Sequence, residues 1–206
     1  MDPGRQIQCH ALPDGLTLRV GDGVSDGVGQ AFARAWDRAW SAVPSRFRGR
    51  LLAYWTAIQS RREAARRRRG ASGKCRPPVP LIELVAKPLE RFVDGGRRRK
   101  HLTSTSAVTL DDGAKFAFLA PYVGTISPAG VEALIAHELA HCVAFAMRHE
   151  SPIMAALDAE VPEAQADSFA LAWGFDADAL DVDEATCFTG WSRGLPIKRK
   201  RPRKVL

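Results

Sequence analysis

The pentapeptide His137-Glu138-Leu139-Ala140-His141 constrains this chain more than any other stretch, because two imidazoles four residues apart share one face when the segment is an α-helix. Its surroundings agree with that geometry. Val131, Leu134, Ile135, Leu139 and Val143 supply a surface to bury, so the histidines would stand on a helix anchored in a core. Ser127-Pro128 supplies the start, a cap residue followed by a proline whose missing N–H costs nothing at the first helical position. The pattern predicts a helix running from there to about His149. One turn apart on such a helix, the two imidazoles can bind a single metal ion. Glu138, beside the first of them, can take a proton from an activated water without itself being a ligand.

A catalytic metal of this kind needs a third protein donor and one open position. Downstream, the candidates are His149, Glu150, Glu160, Glu163 and Asp167. Continued helix would carry His149 about 12 Å along the axis from His141, out of reach. Glu163 opens a second helix, expected from Pro162 to Gly174, after a connection long enough to reverse direction. Pro162 leaves Glu160 ahead of that helix, which favours Glu163. Asp167, one turn further on, shares the face of Glu163, and a carboxylate there can accept the N–H of a ligand histidine and fix its tautomer.

Upstream, apolar residues Phe32, Ala35, Trp36, Ala39, Trp40 and Val43 recur at three- and four-residue intervals, the mark of an amphipathic helix. After Pro44-Ser45 a second helical pattern with Phe47, Leu51, Leu52, Trp55 and Ile58 runs into Arg66 to Arg69, where cations suit the negative end of the helix dipole. The three tryptophans are expected in a core that staples these helices to the catalytic domain. Residues 70 to 80, rich in Gly, Ser, Lys, Arg and Pro, have linker composition. Three extended segments come next: Leu81 to Val85, Ser106 to Leu110 and Lys115 to Ala120. Asp111-Asp112-Gly113 between the last two reads as a hairpin turn. The division expected from this is an N-terminal arm (1–26), a helical segment with basic linker (27–76), a catalytic α+β domain (77–190) and a basic, disordered tail (191–206).

Val131 to His141, taken together with Glu163-Ala164-Gln165-Ala166-Asp167-Ser168-Phe169-Ala170, resembles the gluzincin metallopeptidases, nearest in pattern to the HtpX-like and minigluzincin-like members. The resemblance covers about residues 104 to 175. It implies a zincin-like fold in which a small twisted sheet packs on the motif helix and on a second, ligand-bearing helix. It implies one catalytic Zn²⁺ held by His137, His141 and Glu163, with Asp167 supporting a ligand histidine and Glu138 as general base in peptide hydrolysis. It implies, too, an extended protein or peptide substrate added to the sheet's edge strand beside the zinc. Tyr122 and His149 are candidates for stabilising the oxyanion, against the plainer readings of a turn tyrosine with an exposed hydroxyl and a solvated helix-end histidine.

Charge supplies the main alternative. The net charge of +7 is laid down in runs near Arg66, Arg97 and Lys198, which suits a nucleic-acid-associated protein as well as solvated surface. SprT-like proteases acting on DNA-bound proteins also join a His-Glu-x-x-His motif to basic segments. They use a later histidine as third ligand, and none comes after His149 here. Cys9, Cys75, Cys142 and Cys187 are far apart with no Cys-x-x-Cys pair, so reduced thiols are expected, Cys142 as packing. With no run of about 18 apolar residues and no basic-then-apolar start, the chain is expected to be soluble, cytoplasmic and without a membrane partner.

Overall fold

The computed structural model describes residues 8–68, 78–86, 107–110, 113–148 and 162–175. Five short strands form one mixed sheet: β1 (Gln8–Ala11), β2 (Thr17–Val20), β3 (Leu81–Val85), β4 (Ala107–Leu110) and β5 (Lys115–Leu119), in the order β1-β2-β3-β5-β4. The central pairs β2/β3 and β3/β5 are parallel, and the outer pairs β1/β2 and β4/β5 are antiparallel. The helices are α1 (Asp26–Ala42), α2 (Ser45–Arg68), the single turn α3 (Ala120–Val123), α4 (Pro128–Met147) and α5 (Pro162–Ala172). The α+β class expected from the sequence is therefore observed.

Strand alternation puts one face of this sheet against the helices. Leu18, Ile82 and Phe116 lie side by side across β2, β3 and β5, followed one step along by Val20, Leu84 and Phe118. All six are buried. Onto this face α1 lays the stripe its sequence spells out: Phe32 meets Phe118 with ring centroids 4.8 Å apart, and Trp36 meets Phe116 edge-on at 5.6 Å. Trp55 of α2 stacks on Trp40 at 5.9 Å. A buried indole N–H needs a partner. Trp40 Nε1 donates to Asp14 Oδ2 (2.7 Å), and Trp55 Nε1 donates to the carbonyl of Gly113 (2.8 Å). The tryptophans are core, as the sequence suggested.

Because β2 pairs with β3, the residues read as an N-terminal arm are built into the same sheet as the segment beyond the linker. That pairing was not expected. Pairing Leu18 with Ile82 closes a loop of more than sixty residues, and local alternation carries no trace of so distant a partner.

The helix α4 begins as its cap signals require, with Ser127 Oγ accepting from Gly130 N (3.0 Å) and Pro128 in the first turn. It is apolar nearly all round, which in a globular chain marks a helix enclosed by neighbours. Elements α1, α2, α5 and β4 all pack against it. Among the described residues α4 is the one helix whose length and composition would also suit a membrane span, and most of it is buried inside the protein. An ion pair from Arg38 Nε to Glu132 Oε1 (2.6 Å) ties α1 to α4.

At the β4–β5 turn, Gly113 takes φ +83°, a left-handed value that glycine tolerates best. Its carbonyl accepts from Trp55, and the Cys142 thiol lies 3.6 Å from the same oxygen. The turn of the hairpin is thereby pinned to α2 and α4 at one atom. Cys142 is fully buried, as expected of a packing residue, and burial pushes its thiol well above the ordinary range.

Candidate metal centre

The position of the site is set by how α5 is seated. Ala166, Ala170 and Trp173 recur at four- and three-residue intervals and are buried, while Phe47 at the start of α2 meets Phe169 and Trp173 with centroids 5.7 and 6.2 Å away. That contact turns the other face of α5, which bears Glu163 and Asp167, toward the imidazoles of α4. Gly174, at φ +94°, ends the element beside the position the sequence suggested.

Four side chains then converge. His137 and His141 stand with their rings edge to face, centroids 4.7 Å apart, and their Nε2 atoms 3.1 Å apart. Glu163 Oε2 lies 3.2 Å from His137 Nε2 and 3.7 Å from His141 Nε2. On the far side of the same ring, His137 Nδ1 is 2.8 Å from Asp167 Oδ1. A proton on Nδ1 donated to Asp167 leaves Nε2 as the coordinating nitrogen. Three donor atoms thus face one small volume, and among the described residues this is the one such group of histidine, cysteine or acidic side chains.

The donor set fits a metal ion. A tetrahedral ion with bonds of about 2.0 to 2.1 Å holds its ligand atoms about 3.3 Å apart. The observed separations of 3.1, 3.2 and 3.7 Å bracket that edge length. The histidine side chains are largely buried, at 14% and 12% exposure, whereas that of Glu163 is 76% exposed, so the group is open on the side of α5.

Electrostatics point the same way. Burial alone pushes the His137 pKa down, but hydrogen bonds to Asp167 and Glu163 and the nearby charge of Glu138 outweigh it and raise the value to about 10. Hydrogen bonds from His137 and His141 hold the Glu163 carboxylate well below the usual range. Without a metal, this cluster of acidic groups holds a proton where a cation is wanted.

Glu138 is held from the sheet side. Its side chain is buried at 5% exposure, and Oε2 accepts a hydrogen bond from the Thr109 hydroxyl on β4 (2.5 Å), whose oxygen also lies 3.3 Å from the Glu138 carbonyl. The last strand of the described sheet therefore touches the motif helix at the acid that lies between its two histidines. Thr109 was missed in the sequence. Its parity with Ala107, which points inward, was readable, but which helix it would meet was not.

Tyr122 does not occupy an exposed turn. It lies on α3, 7% exposed and within the hydrophobic core, because Pro121 starts a helical turn whose Tyr122, Val123 and Ile126 all face inward. His149, Glu150 and Glu160 fall outside the described residues, as do the basic loop Gly95 to Lys100 and the tail Lys198 to Lys204. A scan of protein-family models finds no match to this chain, and neither a search of curated proteins nor one of solved structures returns one.

Proposed function

We propose that the chain is a zinc-dependent peptidase of gluzincin type with a zincin-like fold, acting on protein or peptide substrates in the cytoplasm. The observation that carries this reading is the approach of Glu163, from a separate helix, to the Nε2 atoms of His137 and His141, with Asp167 on the opposite nitrogen of His137. A chance pentapeptide would have no reason to attract a carboxylate pair at the spacing that serves one donor and one support.

Zinc held by His137, His141 and Glu163 would supply Lewis acidity, making water a nucleophile near neutral pH and polarising the scissile carbonyl. The chain supplies the rest. Asp167 fixes the tautomer and tilt of His137. Glu138 accepts the proton of the attacking water and delivers it to the departing amine nitrogen. Thr109 keeps the Glu138 carboxylate in one rotamer while β4, the outer strand among the described residues, offers backbone groups to an extended substrate.

The test compares the full chain with Glu138→Gln on a broad mixture of peptides, reading new termini by mass spectrometry and zinc content by elemental analysis. Both proteins should hold one zinc, and only the unaltered chain should cut. Equal cutting by both, or zinc retained by neither, would overturn the reading.

A further inference from the structure

The charge of this protein has an address. Helix α2 carries eight arginines and one glutamate, a net +7, which equals the net charge of the entire chain, so the remaining residues balance. Its last buried side chain is Trp55. The next thirteen residues, 56–68, span about 20 Å at 1.5 Å per residue and include none that is buried: Ile58, Gln59, Arg62 and Arg66 are half-buried and the others exposed.

The helix dipole does not explain that distribution. Arg66, Arg67 and Arg68 lie in the last turn and gain from the helix dipole, but Arg61 and Arg62 lie further from the end. At the other end Arg46, Arg48 and Arg50 occupy the first turns, where the dipole disfavours cations and where no acidic residue is found. This largely exposed segment therefore gathers five arginines against one glutamate on the last part of a single helix.

We infer that the C-terminal half of α2 is a docking element for double-stranded DNA, held by guanidinium contacts to backbone phosphates. Arginine forks match phosphate oxygens two at a time. Arg61, Arg67 and Arg68 are exposed and fan around the helix, with Arg62 and Arg66 half-buried between them, as suits a helix with phosphates on both flanks. An α-helix with side chains is about 10–12 Å across, and the B-form major groove is about 12 Å wide, whereas the A-form major groove of duplex RNA is too narrow to admit it. Anionic membranes are disfavoured because an interfacial helix needs a strong apolar face, and residues 56–68 offer three alanines and one half-buried isoleucine. The same lack of an apolar anchor argues against a protein partner.

The experiment uses the full chain, a labelled 20-base-pair DNA duplex of arbitrary sequence, the matching RNA duplex, and phosphatidylserine vesicles. Fluorescence anisotropy is followed from 50 to 200 mM salt, with and without a zinc chelator. Five phosphates engaged would give a slope of about −4.5 in log affinity against log salt, a loss of about 500-fold across that range. Changing Arg61, Arg62, Arg66, Arg67 and Arg68 to Gln should weaken binding by more than about 100-fold at 100 mM salt and flatten the slope. Removing the same number of charges at Lys198, Arg199, Lys200, Arg201 and Arg203 should cost less than about tenfold. Arg61, Arg67 and Arg68 are exposed, so a variant changed to Gln at these three alone should keep the thermal midpoint of the parent and still weaken binding by more than about tenfold, which separates lost binding from lost folding. A helix variant that keeps the parental slope, a tail variant that loses more, or tighter binding to RNA or vesicles than to DNA would overturn the assignment. Chelation, and Glu138→Gln, should leave DNA binding unchanged, so failure here is separable from failure of the peptidase reading.

Discussion

If His137 must give up a proton before it can ligate, metal affinity will depend steeply on pH in a range where an ordinary histidine is already neutral. In the metal-free site its pKa is raised to about 10. One pH unit is worth about 1.4 kcal/mol for each proton displaced, so affinity should rise about 100-fold, or about 2.7 kcal/mol, between pH 7 and pH 9. A histidine at the ordinary value of 6.5 would gain less than about 1.5-fold over the same interval. The assay is competition for zinc against a chromophoric chelator, at buffered free metal and constant ionic strength in non-coordinating buffers. An affinity that changes less than twofold from pH 7 to 9 would refute the reasoning. Stability of the metal-free chain should move oppositely. A folded-state pKa raised above the unfolded value contributes stability that is full below about pH 6.5 and is lost as pH climbs through about 10. Glu163, held low, contributes in the other sense: its share is present above the ordinary glutamate range and is lost on acidification. The metal-free protein should therefore melt highest between these limits.

Asp167→Asn should weaken zinc binding about 10- to 100-fold by loosening His137, and Glu163→Gln should weaken it further by removing a donor, both measurable by the same competition. Gly113→Ala should destabilise the fold by about 2–6 kcal/mol in urea titrations, since a left-handed φ and an overpacked contact each cost about 1–3 kcal/mol. The new Cβ would stand 2.9 Å from Cys142 Sγ.

Local chemistry was the part of this molecule legible in its sequence. Ser127-Pro128, Pro162 and Gly174 mark helix ends through capping and forbidden hydrogen bonds, and the observed ends fall at or beside them. The i, i+4 spacing put His137 with His141 and Glu163 with Asp167 on common faces before any fold was known. Partners far apart in the chain left no such mark. Pairing of β2 with β3, the seating of Phe47 under α5 and the hydrogen bond from Thr109 to Glu138 all join segments tens of residues apart. Tyr122 shows a subtler limit, because a Pro-Tyr pair after a strand reads as a turn until burial of Val123 and Ile126 converts it to a helical turn. The uneven basic charge was visible as runs, but that one helix accounts for the whole excess emerges when the helix boundaries are known.

The shared carbonyl of Gly113 bears on how such a chain can vary. Hairpin tips ordinarily accept inserted or deleted residues with little effect, since their length is decoupled from the rest of a domain. Here the tip is indexed to the indole of Trp55 and packed on Cys142, one residue beyond the second histidine, and the strand it returns from carries Thr109. A one-residue insertion between Leu110 and Lys115 would slide β4 past α4 and reverse the side on which Thr109 emerges, parting it from Glu138. Hairpin length, usually a neutral trait, is in this fold a gauge of the reactive geometry.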